Sequence, residues 1–489
     1  MIYRIPLMLV ISILFNTAFA QKNQTKPNII LVFMDDLGYG DLGVTGALGY
    51  HTTVLDRMAN NGIRFTNFLV PQAVCSASRS ALLTGNYPNR MGISGAFMPS
   101  TGVGLNPDEI TMAEMLKSKG YSTQIIGKWH LGSEPEFLPT KQGFDAYYGI
   151  PYSNDMWPVG FDGKPAKPDT YVSKYPVLPL LKIKTGQSIP DTVLKINNLE
   201  DQAVLTENYT KQALDFIKAN KDNPFFLYLA HSMTHVPIAA SMKFRGTSDQ
   251  GLFGDVMHEI DDSMGQIFQT LKSNGLSDNT IVIFTSDNGP WLNFGNHNGS
   301  SGGFREGKGA SWEGGQRVPC IIYWPNMIKE GQINNNLTSS MDIFATVAEI
   351  VNYKDNPNQI DGISFLAQIK DPKAEAPRKS MYYYYNQNDL EAVRFENWKL
   401  VLPHKSRSYE GILPGNDGFG GNYKELEIKT MELYDLRRDP GERYNVIEQN
   451  PEVLEKLLEI ADEARRDLGD NLTKAEGQNR RPLGRIPKK

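Results

Sequence analysis

Four runs of apolar, β-branched and aromatic residues each stop abruptly at polar, potentially reactive side chains. NIILVFM (28–34) is followed by Asp35 and Asp36, STQIIG (122–127) by Lys128 and His130, PFFLYLA (224–230) by His231 and His235, and TIVIFTS (280–286) by Asp287 and Asn288. Continuous apolar stretches of this length fit strands buried on both faces of a mostly parallel sheet. Between them, TVLDRMANNGIRF, TMAEMLKSKGY, ENYTKQALDFIKAN and FGDVMHEIDDSMGQIFQTLKSNG carry apolar residues three and four apart and predict amphipathic helices. Strand alternating with helix predicts an α/β fold: a large mixed, mostly parallel sheet sandwiched by helices, with right-handed crossovers. Sites in such sheets form at the carboxyl ends of the strands. The four polar clusters are therefore expected at one edge, although they are far apart in sequence.

From about residue 373 the pattern changes. SMYYYYN, EAVRFENWKLVL and MELYDL predict short strands of a smaller antiparallel sheet, and PEVLEKLLEIADEARRDLG predicts a helix. The four consecutive tyrosines fit a half-buried strand better than a carbohydrate-stacking platform. The basic end, GQNRRPLGRIPKK, reads as a loose tail or a strap over the surface. Arg4, the apolar run IPLMLVISILF and the Ala18-Phe19-Ala20 step predict a secretory signal peptide over 1–20. The expected division is thus a signal peptide, a catalytic domain over 21–372 and a C-terminal subdomain over 373–489. No membrane span is expected after signal cleavage, which predicts an exported protein, periplasmic or secreted.

With 489 residues, 40% of them hydrophobic, the chain can bury a large core. A formal net charge of -5 argues against a nucleic-acid partner. Only two cysteines are present. Cys320 lies in an apolar run, VPCIIYW, and reads as a buried small hydrophobe; a Cys75–Cys320 bridge is the alternative. Cys75 stands instead among small polar residues in AVCSASRSALLTG (73–85), beside Arg79. That segment reads as a loop leading into a helix, with Ser76 or Ser78 as its N-cap and the helix dipole aimed at whatever Cys75 touches.

Asp35, Asp36, Asp287 and Asn288 are hard oxygen donors, and together would form a cage for Ca²⁺ or, less readily, Mg²⁺. The plainer reading is turn chemistry, because Asp, Asn and Gly favour turns. Zinc fits poorly: His130 and His235 lack ligand spacing, and no cysteine cluster accompanies them. Both read better as acid–base groups. Lys128, in GKWHLG, and Lys308, in GKGASWEGG, each follow a glycine that lets backbone approach a ligand. With Arg79 and a helix N-terminus they favour a compact oxyanion such as sulfate or phosphate.

CSASRSALLTG resembles the signature of the type I, formylglycine-dependent sulfatases, the arylsulfatase A-like family that includes carbohydrate sulfatases. GYSTQIIGKWHLG is similar to the second signature of that family. MDDLGYGD, THVP, SDNG and GKGASWEGG match in family order, and LYDLRRDPGE (433–442) resembles its C-terminal motif. The resemblance covers nearly the whole mature chain. It implies an alkaline-phosphatase-like sulfatase fold and a hydrolase of sulfate esters. By the same resemblance Cys75 is oxidised by a formylglycine-generating enzyme to an aldehyde, whose hydrate attacks sulfur with one hydroxyl and expels sulfate with the other.

The resemblance further implies Ca²⁺ held by Asp35, Asp36, Asp287, Asn288 and the converted Cys75. Arg79 and His130 support the hydrate, Lys128 and Lys308 bind sulfate, and His235 protonates the leaving alcohol. Ala77 departs from the proline common at this position, which puts the efficiency of conversion in question.

The substrate expected is a sulfated carbohydrate: oligosaccharides from a polymer such as ulvan, carrageenan or a glycosaminoglycan. Selectivity is expected from residues 150–200, from the loop WLNFGNHNGSSGGFREG and from residues 404–423. Trp157, Trp291 and Trp312 would stack on sugars, and Arg305, His297 or Arg407 would contact acidic groups. Two other readings are a phosphatase or phosphodiesterase of the alkaline-phosphatase-like superfamily and a non-catalytic carbohydrate-binding relative. Cys75 and the oxygen-rich ligand set argue against the first, and the intact set of matched residues against the second.

Overall fold

The computed structural model describes residues 26–486, so the expected signal peptide lies outside the described residues. Among the described residues the central sheet has ten strands. Its middle is parallel, in the order Thr280–Ser286, Asn28–Met34, Phe225–Ala230, Ser122–Gly127 and Ala146–Gly149. Every residue of the first three is buried, as strands covered on both faces require. Antiparallel Cys320–Tyr323 extends one side towards Ile63–Phe65 and Gln332–Asn334. The hairpin Leu178–Lys184 and Asp191–Ile196 extends the other. Part of the 150–200 segment, expected as a substrate loop, is therefore a sheet edge.

Period-two alternation divides the core. Ile29, Leu31 and Phe33 face the helices Cys75–Thr84, Met112–Ser118 and Met341–Ile350. Ile30, Val32 and Met34 face Thr53–Asn60, Leu205–Ala219 and Leu252–Ser273. The helix expected over TVLDRMANNGIRF ends at Asn60, and after an Asn-Gly turn Ile63–Phe65 joins the sheet.

The smaller sheet runs Ser380–Tyr385, Asp389–Phe395, Trp398–Val401 and Glu432–Asp435, all antiparallel. The helix Pro451–Leu468 covers it through Leu457, Ile460, Ala461 and Ala464. Tyr383 and Tyr384 are buried and Tyr382 and Tyr385 partly so, which makes YYYY a packed strand. Leu69, Ala310, Trp312 and Met341 from earlier in the chain share this core, so the small sheet is packed onto the large one. The basic end is a strap: Gly484–Arg485 pairs with Val103–Gly104, and Arg481 binds Glu109 at 2.7 Å. Cys75 and Cys320 are both buried and unpaired, which removes the bridge alternative. Among the described residues no helix is long and apolar enough to cross a membrane.

Candidate active site

Strand register assembles the site. Met34 lies opposite Ser286, and Phe33 and Gly127 both lie opposite Ala230. The strands stop at nearly one level, so Asp35, Asp287 and Lys128 leave the sheet together. Gly127 has φ +111°, and a Cβ there would lie 1.8 Å from the Ala230 carbonyl oxygen. Only glycine permits this approach just before Lys128. Asp36 adopts φ +60°, which interrupts the strand alternation that sends adjacent side chains to opposite faces. Both carboxylates consequently remain at the site, clustered with Cys75 and His235.

Cys75 is the first residue of the helix Cys75–Thr84, preceded by extended Val74. No side chain caps this helix, contrary to the expectation for Ser76 or Ser78. Both serines lie inside the first turn, whereas a cap must precede it. Ser76 Oγ instead accepts the Phe97 N–H at 2.9 Å. Arg79, four residues on, shares the helix face of Cys75, which explains the spacing of the pair. Its Nη2 lies 2.8 Å from Asp287 and 3.5 Å from Asp35, and its Nη1 donates to the Lys128 carbonyl at 3.2 Å. Cys75 Sγ is 3.6 Å from Asp35 Oδ1.

Lys128 Nζ lies 2.6 Å from Asp35 and 3.1 Å from Ser153 Oγ. Lys308 Nζ lies 2.8 Å from Asp36 and 4.4 Å from the centre of the Trp291 ring. Three carboxylates thus face three cations, all buried. Burial alone would raise Asp35, but Lys128, His235, Arg79 and Lys308 together hold it well below the usual carboxylate range. Asp287 is pushed up by burial and by Asp35. Burial also pushes the Cys75 thiol up, so it is not an activated thiolate. The unmodified side chain is a poor nucleophile here.

Both histidines are pushed down by burial, His130 further by Lys128 and His235 by Lys308. His235 Nδ1 lies 2.5 Å from the Val236 carbonyl, which can only accept. Nε2, 3.6 Å from Asp36, is then the atom that gains and loses a proton. His130 Nε2 donates to the Phe97 carbonyl at 2.9 Å, leaving Nδ1 as a buried acceptor with no partner among the described residues.

The donor set fits a hard cation. Asp35, Asp36, Cys75 and His235 present ligand atoms within 4.8 Å of one another. Asp287 Oδ1 accepts the Asp36 N–H at 3.1 Å. Asn288 Nδ2 donates to Asp36 at 2.7 Å, and its buried Oδ1 has no partner among the described residues. An orphaned amide oxygen among three carboxylates suits Ca²⁺ or Mg²⁺ and not a thiophilic metal.

The structure brings together every residue proposed for catalysis and metal binding. It divides those proposed for selectivity. Trp157 and Trp312 are each 1% exposed and offer no face to a sugar. Trp312 donates to Ser406, and Arg305 stacks on Trp312 at 3.6 Å while donating to the Glu442 carbonyl. Trp291 remains at the site, 5.6 Å from His235 between ring centres. His297 belongs to the outer loops beside Gly418.

Sequence reasoning missed Ser153, which binds Lys128, and Asn154, which donates to the His235 carbonyl at 3.2 Å. Both follow the fifth parallel strand, Ala146–Gly149, whose apolar run is too short to stand out. His231 lies at a strand end but is buried with neither ring nitrogen partnered among the described residues, and it joins none of the contacts of the site.

The sulfatase family pattern matches residues 27–353, and the pattern for the C-terminal region of aryl-sulfatase matches 376–483. N-acetylgalactosamine-6-sulfatase of Mus musculus is 38% identical over 466 residues, 90% of this chain and 86% of that protein. Human arylsulfatase A is 36% identical over 456 residues, 89% of this chain and 87% of its own. Among solved structures, a Pseudoalteromonas sulfatase superposes with a TM-score of 0.81 at 30% identity, covering 90% of this chain and 89% of the other.

Proposed function

Because the chain belongs to the sulfatase family and is a sulfuric ester hydrolase, we propose that it removes ester sulfate from carbohydrates, with 6-sulfated N-acetylgalactosamine the first candidate. The observation that carries this is the placement of Cys75 at a helix N-terminus, 3.6 Å from Asp35, within a ring of buried lysine, arginine and carboxylate side chains. The relatives and solved structures whose names carry a sugar, N-acetylgalactosamine-6-sulfatase among them, support the substrate class.

Asp35, Asp36, Asp287, Asn288 and the oxygen of a converted Cys75 would hold Ca²⁺, which would polarise the sulfate oxygens. Formylglycine at position 75 would supply, as its hydrate, the oxygen nucleophile that a buried thiol does not. Lys128 and Lys308 offer two ammonium groups to the sulfate and balance charge that develops on it. Arg79 orients the nucleophile from one turn along the helix, and His130 Nδ1 accepts its proton. His235 Nε2 delivers a proton to the departing sugar oxygen. The N-terminal pattern supports export to the periplasm or beyond, and conversion of Cys75 would require a formylglycine-generating enzyme as a maturation partner.

The test is expression in a converting host, mass spectrometry of the tryptic peptide that follows Arg64, and sulfate release from N-acetylgalactosamine 6-sulfate and 4-nitrophenyl sulfate. An aldehyde at Cys75 with release from the sugar is the expected result. A thiol alone would overturn the formylglycine reading. Turnover of the aryl ester with no sulfated sugar accepted would overturn the carbohydrate reading.

A further inference from the structure

Arg407 lies in the strand His404–Ser408, half-buried, and no carboxylate among the described residues pairs with it. Its neighbour across the ladder, Glu425, is held by Lys405 at 2.7 Å. The buried arginines among the described residues are differently placed: Arg79, Arg90, Arg317, Arg378 and Arg394 each meet a carboxylate, whereas half-buried Arg305 binds a carbonyl and stacks on Trp312. The guanidinium of Arg407 makes one long hydrogen bond, from Nη1 to Tyr409 Oη at 3.5 Å, and stacks on the ring of Tyr423 at 4.5 Å. Tyr423 is 53% exposed. Stacking occupies the face of the guanidinium and leaves its in-plane N–H edge, built for bidentate contact with an oxyanion, largely unused.

The position of this group matters. Gly309 follows Lys308, and a Cβ on it would lie 2.7 Å from Arg407 Nη1 and 3.0 Å from Tyr385 Oη. Tyr409 Oη donates to the Lys308 carbonyl at 2.6 Å, and the Gly309 N–H donates to the carbonyl of Ala73, two residues before Cys75. Arg407 therefore abuts the turn that carries Lys308 into the site, with two tyrosine hydroxyls beside it.

We infer that Arg407, with the hydroxyl of Tyr385 and the ring of Tyr423, forms a second anion subsite for a further acidic group of the substrate. That group is a carboxylate or a second sulfate on the same sugar or its neighbour, bound while Lys128 and Lys308 hold the ester under attack. The inference rests on the sulfatase reading and narrows its substrate class to sugars bearing at least two anions. Lysine at 407 would keep the charge but lose the fork.

The experiment compares kcat/KM for N-acetylgalactosamine 6-sulfate, N-acetylgalactosamine 4,6-disulfate and the unsaturated chondroitin 6-sulfate disaccharide, in the wild type, Arg407→Gln and Arg407→Lys. Calorimetry with the same sugars on Cys75→Ala, with and without Arg407→Gln, reads binding apart from turnover. Loss of charge-assisted hydrogen bonds predicts about a ten- to hundredfold fall for one or both dianions relative to the monosulfate, mainly in KM. Arg407→Lys recovers part of it. A preferential fall for the disulfate alone assigns the subsite to sulfate, and for the disaccharide alone to carboxylate. Equal factors for all three sugars, or no change in any, overturn the subsite. Failure of the wild type to release sulfate from any sugar would overturn the function itself, and the calorimetric comparison would still decide whether Arg407 binds the second anion.

Discussion

Glu313→Gln is the substitution that best probes how the small sheet fixes the site. Glu313 follows Lys308 by five residues and is fully buried. Its carboxylate meets Arg317 at 2.5 Å, Arg394 at 3.3 Å and Lys399 at 3.5 Å, and it accepts the Tyr383 hydroxyl at 2.8 Å. Its own N–H donates to Glu442, from the C-terminal LYDLRRDPGE segment, at 2.8 Å. Arg394, Lys399 and Tyr383 all belong to the small sheet. Glutamine keeps the volume but leaves buried cations without their shared counter-charge.

Breaking a buried pair in this way costs about 3–5 kcal/mol, a large part of the ~5–15 kcal/mol that holds a domain folded. Burial would raise Glu313, but Arg317, Arg394 and Lys399 outweigh it and hold the group well below its ordinary value. Its contribution is therefore present above the unfolded-state value of 4.5 and is lost as pH falls towards the folded one. Urea unfolding followed by tryptophan fluorescence, at pH 7 and pH 4, measures both effects. Glu313→Gln should lose several kcal/mol at pH 7, show a flatter acid limb and raise KM for sulfate esters by loosening the turn that carries Lys308. A loss under about 1 kcal/mol with unchanged acid sensitivity would refute the reasoning.

His235→Ala should lower kcat by about 10²–10⁴ for a sugar sulfate, whose alcohol needs a proton to leave. The loss should be far smaller for 4-nitrophenyl sulfate, and equal losses for the two esters would remove the acid role of His235. Chelation with EDTA should lower the melting temperature and Ca²⁺ should restore it, because a ligand at a hundred times its Kd adds about 2.7 kcal/mol. Identical melts with and without Ca²⁺ would contradict a cation site at Asp35, Asp36, Asp287 and Asn288. Glu391, in the small sheet, is pushed up to about 8 by burial. It folds as the neutral acid, so stability should decline as pH rises from 4.5 towards 8, and Glu391→Gln should flatten that decline. A pH titration of urea midpoints in which the two proteins run parallel would argue against it.

The sheet centre was readable because a strand buried on both faces must be apolar along its whole length, and three such runs, with the half-polar STQIIG beside them, are long enough to count. Their polar ends followed, since parallel strands in one register finish together. The ten-strand width was not readable, because hairpins such as Leu178–Lys184 with Asp191–Ile196 alternate weakly and pair only once the sheet exists. Side-chain destinations were harder still. Nothing in the local sequence separates Trp291, against Lys308, from Trp312, sealed under Arg305. Ser76 and Ser78 misled for a related reason: composition marks a helix start without saying on which side of the first turn a serine falls.

Cys75 is 2% exposed, closed in by strand ends that come from both sides of it in the sequence. An enzyme that oxidises this side chain would find it sealed once the sheet has formed, so the proposed maturation becomes a matter of timing. Asp287 and Asn288 emerge about 210 residues after Cys75. At ~5–20 residues per second of synthesis, that separation leaves an interval of about 10–40 s in which the segment is available and the sheet cannot yet close over it. Rapid folding, ordinarily an advantage to an exported protein, would here compete with the making of the active chain.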